Sequence, residues 1–297
     1  RTQASAERTT DTSPRYGSKV TGVPCAVMPS PTVIGQDGVM PHALVTGASS
    51  GIGYAFARAL AAQGHDLLIV GRNSERLTAV ATQLASEFGV DVRAETADLT
   101  DRADIERVAR LAAEEPFDVL VNNAGFGVKG GFLQTQVEQE QQMLDILTTA
   151  VMRLTHAVVP GMLERRRGYV FTVSSVAGWI TGGTYSAAKA WATVFTEGLA
   201  VELAGTGVRA IAVCPGFTRT EFHQRADMQM DSVSEWMWLS ADDVVAAALK
   251  DARAGRTISV AGAQYRLLSA LLRALPRSLV RRATGVRQTS SRFPQAR

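Results

Sequence analysis

The chain has 297 residues, of which 46% are hydrophobic and 20% charged, a composition typical of a soluble globular protein with one large core. No apolar run reaches the roughly 18 residues of a membrane-spanning helix. The two cysteines and four histidines lack the spacing of a disulfide framework or a metal site, so we expect no metal and a reducing, cytoplasmic environment.

Charge is unevenly distributed along the chain. The net charge is +3, yet residues 256–297 contain nine arginines and no acidic residue, so the remainder is mildly acidic. A basic end of this kind can be a solvated tail or can bind an anionic surface. We expect no nucleic-acid partner.

Three segments differ in composition. Residues 1–39 are rich in Ser, Thr, Pro and Gly without regular periodicity, and they are predicted to be a disordered extension without a convincing targeting signal. Residues 40–263 carry the pattern of a folded domain. Residues 264–297 are predicted to form an amphipathic helix and a basic tail.

Short apolar runs alternate with helix-length segments from His42 onward. This alternation predicts βαβ units, and hence an α/β fold with a doubly wound, parallel Rossmann-type sheet in three layers and a single domain. The predicted buried strands are 42–45, 66–70, 90–94, 117–121, 169–173 and 208–213. The predicted helices are 52–63, 74–88, 101–114, 137–166 and 185–203.

A glycine-rich turn follows the first predicted strand and opens the first predicted helix. Its glycines let the backbone approach a pyrophosphate closely, while the amide groups of the helix hold the negative charge. The predicted phosphate loop consists of Gly47, Ser49, Ser50, Gly51, Ile52 and Gly53. The same stretch matches G-x-S-x-G, the nucleophile elbow of α/β-hydrolases, so a triad of Ser49 with His223 is the alternative, although that elbow normally follows several earlier strands.

The end of the second predicted strand indicates the cofactor. An acidic residue there would hydrogen-bond the ribose of NAD and repel a 2′-phosphate. The sequence has Gly71 followed by Arg72, and a guanidinium suits bidentate phosphate binding. We therefore predict NADP(H) as the preferred cofactor, with NAD(H) as the alternative.

Four motifs in chain order resemble those of the short-chain dehydrogenase/reductase family. They are the T-G-x-x-x-G-x-G loop, N-N-A-G at 122–125, a serine with Y-x-x-x-K at Ser175, Tyr185 and Lys189, and a P-G turn at Pro215. The resemblance implies that Ser175, Tyr185 and Lys189 catalyse hydride transfer between nicotinamide and a carbonyl or secondary alcohol. It implies further cofactor contacts from Asp98, Leu99, Asn123, Ala124, Gly125, Tyr185, Lys189, Pro215, Gly216, Thr218 and Thr220.

Tyr185 and Lys189 lie four residues apart, so they share one face of a helix. An ammonium group beside a phenol favours the phenolate, so the sequence predicts that Lys189 lowers the pKa of Tyr185 from about 10. Tyr185 would then act as the proton donor in reduction and the acceptor in oxidation. The resemblance implies that Ser175 hydrogen-bonds the substrate oxygen and that Lys189 also binds the nicotinamide ribose.

The sequence departs from the family pattern in two places. Tyr185 follows Ser175 by only ten positions, fewer than is usual, so the loop between them must be tight, as Gly182 and Gly183 allow. The position of the family's helical catalytic Asn is occupied by Leu147, which puts the water-linked proton relay in doubt. This loss favours the alternative of a non-catalytic NADP(H)-binding sensor or scaffold, whereas the intact Ser-Tyr-Lys group favours the enzyme.

The segment after the P-G turn is the expected substrate lid. Its methionines and aromatic side chains suit an irregular apolar ligand, but they could equally pack the lid onto a helix beginning near Ala241. These residues are Phe222, Met228, Met230, Trp236, Met237, Trp238 and Leu239.

The segment 264–275 carries a stripe of leucines. It could cover the substrate pocket, pack at a subunit interface, or lie on an anionic membrane. The resemblance implies a homodimer or homotetramer paired through the helices at 137–166 and 185–203. The predicted partners are therefore a small carbonyl or alcohol substrate, further copies of the chain and, weakly, a membrane surface.

Overall fold

Seven parallel strands form the central sheet of this computed structural model, which describes residues 41–222 and 233–285, with side chains as far as Ala283. The strands are β1 His42–Thr46, β2 Asp66–Gly71, β3 Val92–Thr96, β4 Phe117–Asn122, β5 Gly168–Val173, β6 Val208–Val213 and β7 Ile258–Ser259. Their order, β3-β2-β1-β4-β5-β6-β7, confirms the predicted doubly wound sheet. It reverses between β1 and β4, so a crevice for a ligand opens at the carboxyl ends of those strands.

Helices cover both faces of the sheet. They are α1 Gly51–Ala61, α2 Ser74–Phe88, α3 Arg102–Glu114, α4 Val137–Leu144, α5 Ala150–Glu164, α6 Gly183–Glu202, α7 Ala241–Arg253, α8 Ala263–Ala274 and α9 Arg277–Gly285. One hydrophobic core lies between the sheet and α1, α2 and α7, and a second lies between the sheet and α3, α5 and α6. The three layers predicted from the sequence are therefore confirmed.

Local capping explains where several helices begin. The Asn73 side chain accepts a hydrogen bond of 2.8 Å from the backbone amide of Arg76 at the start of α2. Asp101 accepts two such bonds at the start of α3, and Ser240 caps α7 in the same way. Because these signals are local, the predicted bounds of α2 are correct and those of α3 differ by one residue.

The edge strands are where the prediction from sequence is wrong. The third strand is predicted as buried over 90–94, whereas β3 spans Val92–Thr96 and exposes most of its side chains. It lies at the edge of the sheet, next to β2, so it has less cover than the central strands. The strand at the other edge, β7, is not predicted, because its two residues are too few to show a periodicity.

The helix predicted at 137–166 is interrupted. A π-helical segment, Asp145–Thr149, joins α4 to α5. The combined stretch Val137–Glu164 is long and apolar enough to cross a membrane by length and composition, contrary to the expectation from apolar run length. Half of its apolar window is buried, and α5 packs against α3 and β4 as a core helix does, so this is weak evidence for a membrane span.

Several predicted features lie outside the described residues. They include the extension at 1–39, most of the lid with His223, Met228 and Met230, and the basic tail beyond 285. The described residues belong to one compact unit, Thr32–Arg297. Within it, α7 begins at Ala241 as expected, and α8 begins and ends one residue before its predicted bounds.

Candidate active site

The phosphate loop connects β1 to α1 at the point where the strand order reverses. Gly47 and Gly51 have φ angles of 67° and 59°, which glycine adopts without strain. A Cβ atom at Gly53 would lie 2.2 Å from the carbonyl oxygen of Gly47, so only glycine permits this close turn. Ser50 is the N-cap residue of α1, and Ile52 packs against the first core. The amide groups of the first helical turn therefore follow a closely folded loop, the arrangement that binds a pyrophosphate.

The N-N-A-G motif braces this loop. The side-chain amide of Asn123 donates to the carbonyl oxygens of Thr46 and Gly47, at 2.9 and 3.2 Å. The Thr46 hydroxyl accepts from the backbone amides of Asn123 and Ala124, at 2.9 and 3.0 Å, and donates to the carbonyl of Val121. These bonds tie the end of β4 to the end of β1. Sequence reasoning missed Thr46, although it stands first in the loop motif.

The end of β2 carries the residues predicted to recognise a 2′-phosphate. Arg72 follows Gly71, and its guanidinium lies 3.9 Å from the carboxylate of Asp98, with more than half of the arginine side chain exposed. The Ser49 hydroxyl lies 4.0 Å from the position that a Cβ of Gly71 would take, so the loop and the strand end adjoin. Leu99 is only 3% exposed and packs in the second core, so its side chain does not line a surface pocket.

Ser175, Tyr185 and Lys189 come together beyond the carboxyl end of β5. The Ser175 hydroxyl hydrogen-bonds the phenol of Tyr185, and it accepts a bond of 3.1 Å from the backbone amide of Ala177. The Nζ atom of Lys189 donates to the carbonyl of Val173 at 2.7 Å and lies 5.7 Å from the centre of the Tyr185 ring. The three residues predicted to be catalytic therefore form one group.

The loop between Ser175 and Tyr185 is as tight as its length requires. A 3-10 helix, Val176–Trp179, follows the serine, and α6 begins at Gly183 with a φ of 73°. A Cβ atom at Gly178 would lie 3.0 Å from the backbone of α6. Close glycine packing thus brings the serine to the helix that carries the tyrosine. The first amide of the 3-10 helix also donates to the carbonyl of the P-G turn's proline at 3.1 Å, which fixes the two loops together.

Burial governs the protonation of this group. It raises the pKa of the Tyr185 phenol well above its usual value of 10, and the hydrogen bond with Ser175 offsets only part of that rise. Burial also lowers the pKa of Lys189 to about 8. The prediction that Lys189 lowers the pKa of Tyr185 is therefore wrong for this arrangement, because desolvation dominates the shift and the ammonium donates to the carbonyl of Val173 instead.

A buried polar cluster next to Lys189 was missed by sequence reasoning. The Ser174 hydroxyl donates to the carbonyl of Lys189 at 2.6 Å and shares a hydrogen bond of 2.7 Å with Thr193. The thiol of Cys214 lies 3.8 Å from the Thr193 hydroxyl, and burial raises its pKa to about 11, so it remains an uncharged thiol. The helical spacing of Lys189 and Thr193 is the signal that could have found this cluster.

Leu147, the residue expected at the position of the family's catalytic Asn, faces the N-N-A-G motif. It lies in the π-helical segment, is 3% exposed, and places its Cδ2 atom 2.5 Å from the position that a Cβ of Gly125 would take. Gly125 thus makes room for an apolar side chain. π-Helical segments often occur at functional sites, but this one contributes no polar group from residue 147 to a relay behind Lys189.

The P-G turn packs against a tyrosine that sequence reasoning missed. A Cβ atom at Gly216 would lie 2.0 Å from the ring of Tyr265, which is buried. The Tyr265 hydroxyl accepts from the backbone amide of Phe217 at 2.9 Å and donates to the carbonyl of Met237 at 2.8 Å. The Thr218 hydroxyl donates to the carbonyl of Gly216 at 3.0 Å. Tyr265 therefore joins the two sides of the segment after the turn, from the buried face of α8.

A glycine-rich phosphate loop at the switch point of a parallel sheet, with a Ser-Tyr-Lys group beside it, defines a dinucleotide-binding oxidoreductase. The sequence profile of the short chain dehydrogenases matches residues 41–231. The chain therefore belongs to the short-chain dehydrogenase family, as its motifs indicated. This assignment also overturns the hydrolase alternative, because Ser49 lies in the phosphate loop.

Known relatives and solved structures agree with this assignment. The NADP-dependent 3-hydroxy acid dehydrogenase YdfG of Salmonella typhi is 38% identical over 187 residues, which cover 60% of this chain and 73% of the relative. A short-chain dehydrogenase from Sphingobium yanoikuyae, solved in complex with NADPH, is 33% identical with a TM-score of 0.71, over 87% of this chain and 99% of that one. The bulky-bulky ketone specific alcohol dehydrogenase from Comamonas testosteroni is 28% identical with a TM-score of 0.68, over 87% and 96% of the two chains.

Proposed function

We propose that this protein is an NADP(H)-dependent oxidoreductase that interconverts an apolar ketone or aldehyde and the corresponding alcohol. The observation that carries the proposal is the contact of Ser175, Tyr185 and Lys189 in one group beside the phosphate loop. A sensor or scaffold of the same fold would need the loop but not this group. The intact group therefore favours turnover over mere nucleotide binding.

The residues around the phosphate loop fit a dinucleotide with a 2′-phosphate. The space at Gly53, which a Cβ atom would fill, gives a pyrophosphate access to the backbone. Arg72 would hold the 2′-phosphate, since Gly71 leaves no carboxylate at the end of β2 to repel it. Relatives whose names include NADP or NADPH support the same choice. The bound nicotinamide would supply or accept the hydride.

Tyr185 would move the proton in this mechanism. Its raised pKa keeps the phenol protonated at neutral pH, which suits a proton donor to the carbonyl oxygen in reduction. Ser175 would orient both the phenol and the substrate oxygen. The pKa of Lys189, about 8, leaves most of its ammonium charged at pH 7, so it can stabilise the phenolate that remains after proton transfer.

An apolar substrate is favoured by the side chains near Tyr185. The ring of Phe222 packs against that of Tyr185 at 5.8 Å between centres. In the same segment after the P-G turn, Phe217 packs against Trp238 at 5.9 Å. Aromatic side chains in this segment suit a bulky apolar ligand. The similarity to an alcohol dehydrogenase named for bulky-bulky ketones supports the same substrate class.

Oxidation of NADPH in the presence of a panel of ketones and aldehydes tests this function. We expect turnover with at least one bulky apolar carbonyl, with kcat on the order of 1–10³ s⁻¹, and slower turnover of small polar sugars. The absorbance of NADPH measures both. Tight binding of 2′,5′-ADP with no NADPH oxidation for any carbonyl would contradict the enzyme and support the sensor.

We also propose that the protein forms a homodimer or homotetramer through α4, α5 and α6. Apolar side chains remain exposed on these helices in the single chain, and such surface often marks an interface. They are Val137, Met152, Leu163, Val194 and Val201. The cytoplasmic location stays a prediction.

The C-terminal helices carry exposed apolar side chains together with arginines, and we propose that they bind anionic membranes weakly. Leu267, Leu271 and Leu279 are 75%, 53% and 47% exposed. Arg277 and Arg282 are exposed on α9 as well. Each arginine near an anionic surface could contribute about 1 kcal/mol at low salt, in addition to insertion of the leucines.

Vesicle co-sedimentation tests the membrane proposal. We expect a bound fraction with phosphatidylserine-containing vesicles at low salt that decreases at high salt, because screening weakens the attraction of the arginines. The matched control is the Leu267→Ser, Leu271→Ser double variant, which keeps the charges and should bind less. No bound fraction at low salt, or equal binding by the control, would show that these leucines do not insert into the membrane. Packing at a subunit interface would then account for their exposure in the single chain.

A further inference from the structure

Three consecutive residues after the P-G turn contact the phosphate loop, α2 and the proposed proton donor. The Thr220 side chain packs on the phosphate loop, since its Cγ2 lies 3.0 Å from the position that a Cβ of Gly51 would take. Glu221 forms an ion pair with Arg76. Phe222 packs its ring against Tyr185, with 5.8 Å between ring centres and an interplanar angle of 46°. This short segment thus joins the cofactor side of the site to the proposed proton donor.

The Arg76–Glu221 pair is bidentate. The two guanidinium nitrogens of Arg76 donate to the two carboxylate oxygens of Glu221, at 3.0 and 2.6 Å. This contact raises the pKa of Arg76. Two parallel bonds fix the relative orientation of the partners as well as their distance. Because the partners are 145 residues apart, the pair holds together elements that the chain itself does not connect.

Both partners have rigid attachments. Arg76 lies in the first turn of α2, and its backbone amide donates a hydrogen bond to the capping side chain of Asn73. Asn73 directly follows Arg72 in the sequence. Glu221 directly precedes Phe222, so a shift of the backbone at Glu221 also displaces the phenyl ring. Both side chains are roughly half-exposed, and an exposed pair of this kind adds little to global stability. Its consequence is therefore expected at the site rather than in the stability of the fold.

We propose that the Arg76–Glu221 pair is a positioning device that fastens the segment at 220–222 to α2 and keeps Phe222 against Tyr185. Arg76 and Glu221 touch neither the proposed substrate nor its reacting atoms, and they act through Phe222. This inference rests on the proposed role of Tyr185 as the proton donor. It makes kcat depend on a salt bridge that lies on the cofactor side of the active site.

The test compares Arg76→Gln and Glu221→Gln with the unsubstituted 297-residue chain. We expect each to lower kcat by about 5- to 10-fold, with little change in the thermal midpoint or in the dissociation constant of 2′,5′-ADP. Exchange of the charges, Arg76→Glu with Glu221→Arg, should restore most of the lost kcat. The matched control is Arg58→Gln, which removes the similarly exposed Arg58–Glu87 pair between α1 and α2 and should leave kcat unchanged.

Two further measurements separate positioning from other roles. Phe222→Ala should lower kcat by a similar factor, and its effect should not add to that of Arg76→Gln, because both would disturb the same contact with Tyr185. Weaker 2′,5′-ADP binding with unchanged kcat would overturn the proposal and make Arg76 an anion-binding residue. The proposal would also be overturned if the effects of Phe222→Ala and Arg76→Gln on kcat were additive, or if Arg76→Gln and Glu221→Gln each left kcat unchanged. Normal turnover by Tyr185→Phe would instead reject the proposed function itself.

Discussion

The Tyr185→Phe variant should turn over substrate at least about 100-fold more slowly than the wild type, the scale of the contribution of general acid catalysis. The substitution removes only the phenolic hydroxyl that bonds with Ser175. The ring remains, so its packing against Phe222 and its position near the ammonium of Lys189 should persist. We expect an unchanged dissociation constant for NADPH and an unchanged circular dichroism spectrum, with the loss confined to kcat.

A second tyrosine provides the matched control for this variant. The hydroxyl of Tyr54 accepts a hydrogen bond of 3.0 Å from Gln83 at the protein surface, far along the chain from Tyr185. Tyr54→Phe therefore deletes the same atom and one hydrogen bond but no proposed proton donor. It should keep near-normal kcat. If Tyr185→Phe also kept near-normal kcat, the proton would have to come from elsewhere and the proposed mechanism would fail.

The features that the sequence predicted correctly depend on short stretches of chain. The phosphate loop could be recognised because its glycines lie between a strand and a helix, within eight residues. Tyr185 and Lys189 could be paired because four residues on a helix return to the same face. The central strands could be placed because burial on both faces makes them continuous apolar runs.

The features that the sequence could not predict depend on distant contacts. Tyr265 lies under the P-G turn, and Cys214 lies beside Thr193, only because the sheet and helices bring them there. The direction of the pKa shift at Tyr185 was missed for a related reason, since spacing reveals a neighbouring charge but not the loss of water around it. The error at β3 arose because its place at the edge follows from the strand order.

Replacement of Arg72 by Asp should reverse the preference for a 2′-phosphate. Arg72 lies next to Gly71, and its guanidinium is 3.9 Å from Asp98, so a carboxylate at position 72 would add a second negative charge where the phosphate would bind. A charge-assisted hydrogen bond contributes about 1.5–3 kcal/mol. Its loss, together with this repulsion, should weaken NADPH binding by well over 10-fold, since about 1.4 kcal/mol corresponds to a factor of ten. Binding of NADH, which has no 2′-phosphate, should change much less, and fluorescence titration with each cofactor measures the difference.

The control for this reversal is Arg72→Gln, which removes the charge without adding a carboxylate. It should weaken NADPH binding less than Arg72→Asp does, because the loss of attraction remains while the repulsion is absent. NADPH binding by Arg72→Gln should also depend less on salt concentration than binding by the wild type, because one cation fewer faces the 2′-phosphate. Equal weakening of NADH and NADPH by Arg72→Asp would show that Arg72 supports the site without contacting the 2′-phosphate. The discrimination between cofactors would then have to come from another residue near the end of β2, and Ser49, whose hydroxyl lies 4.0 Å from the position that a Cβ of Gly71 would take, is the next residue to test.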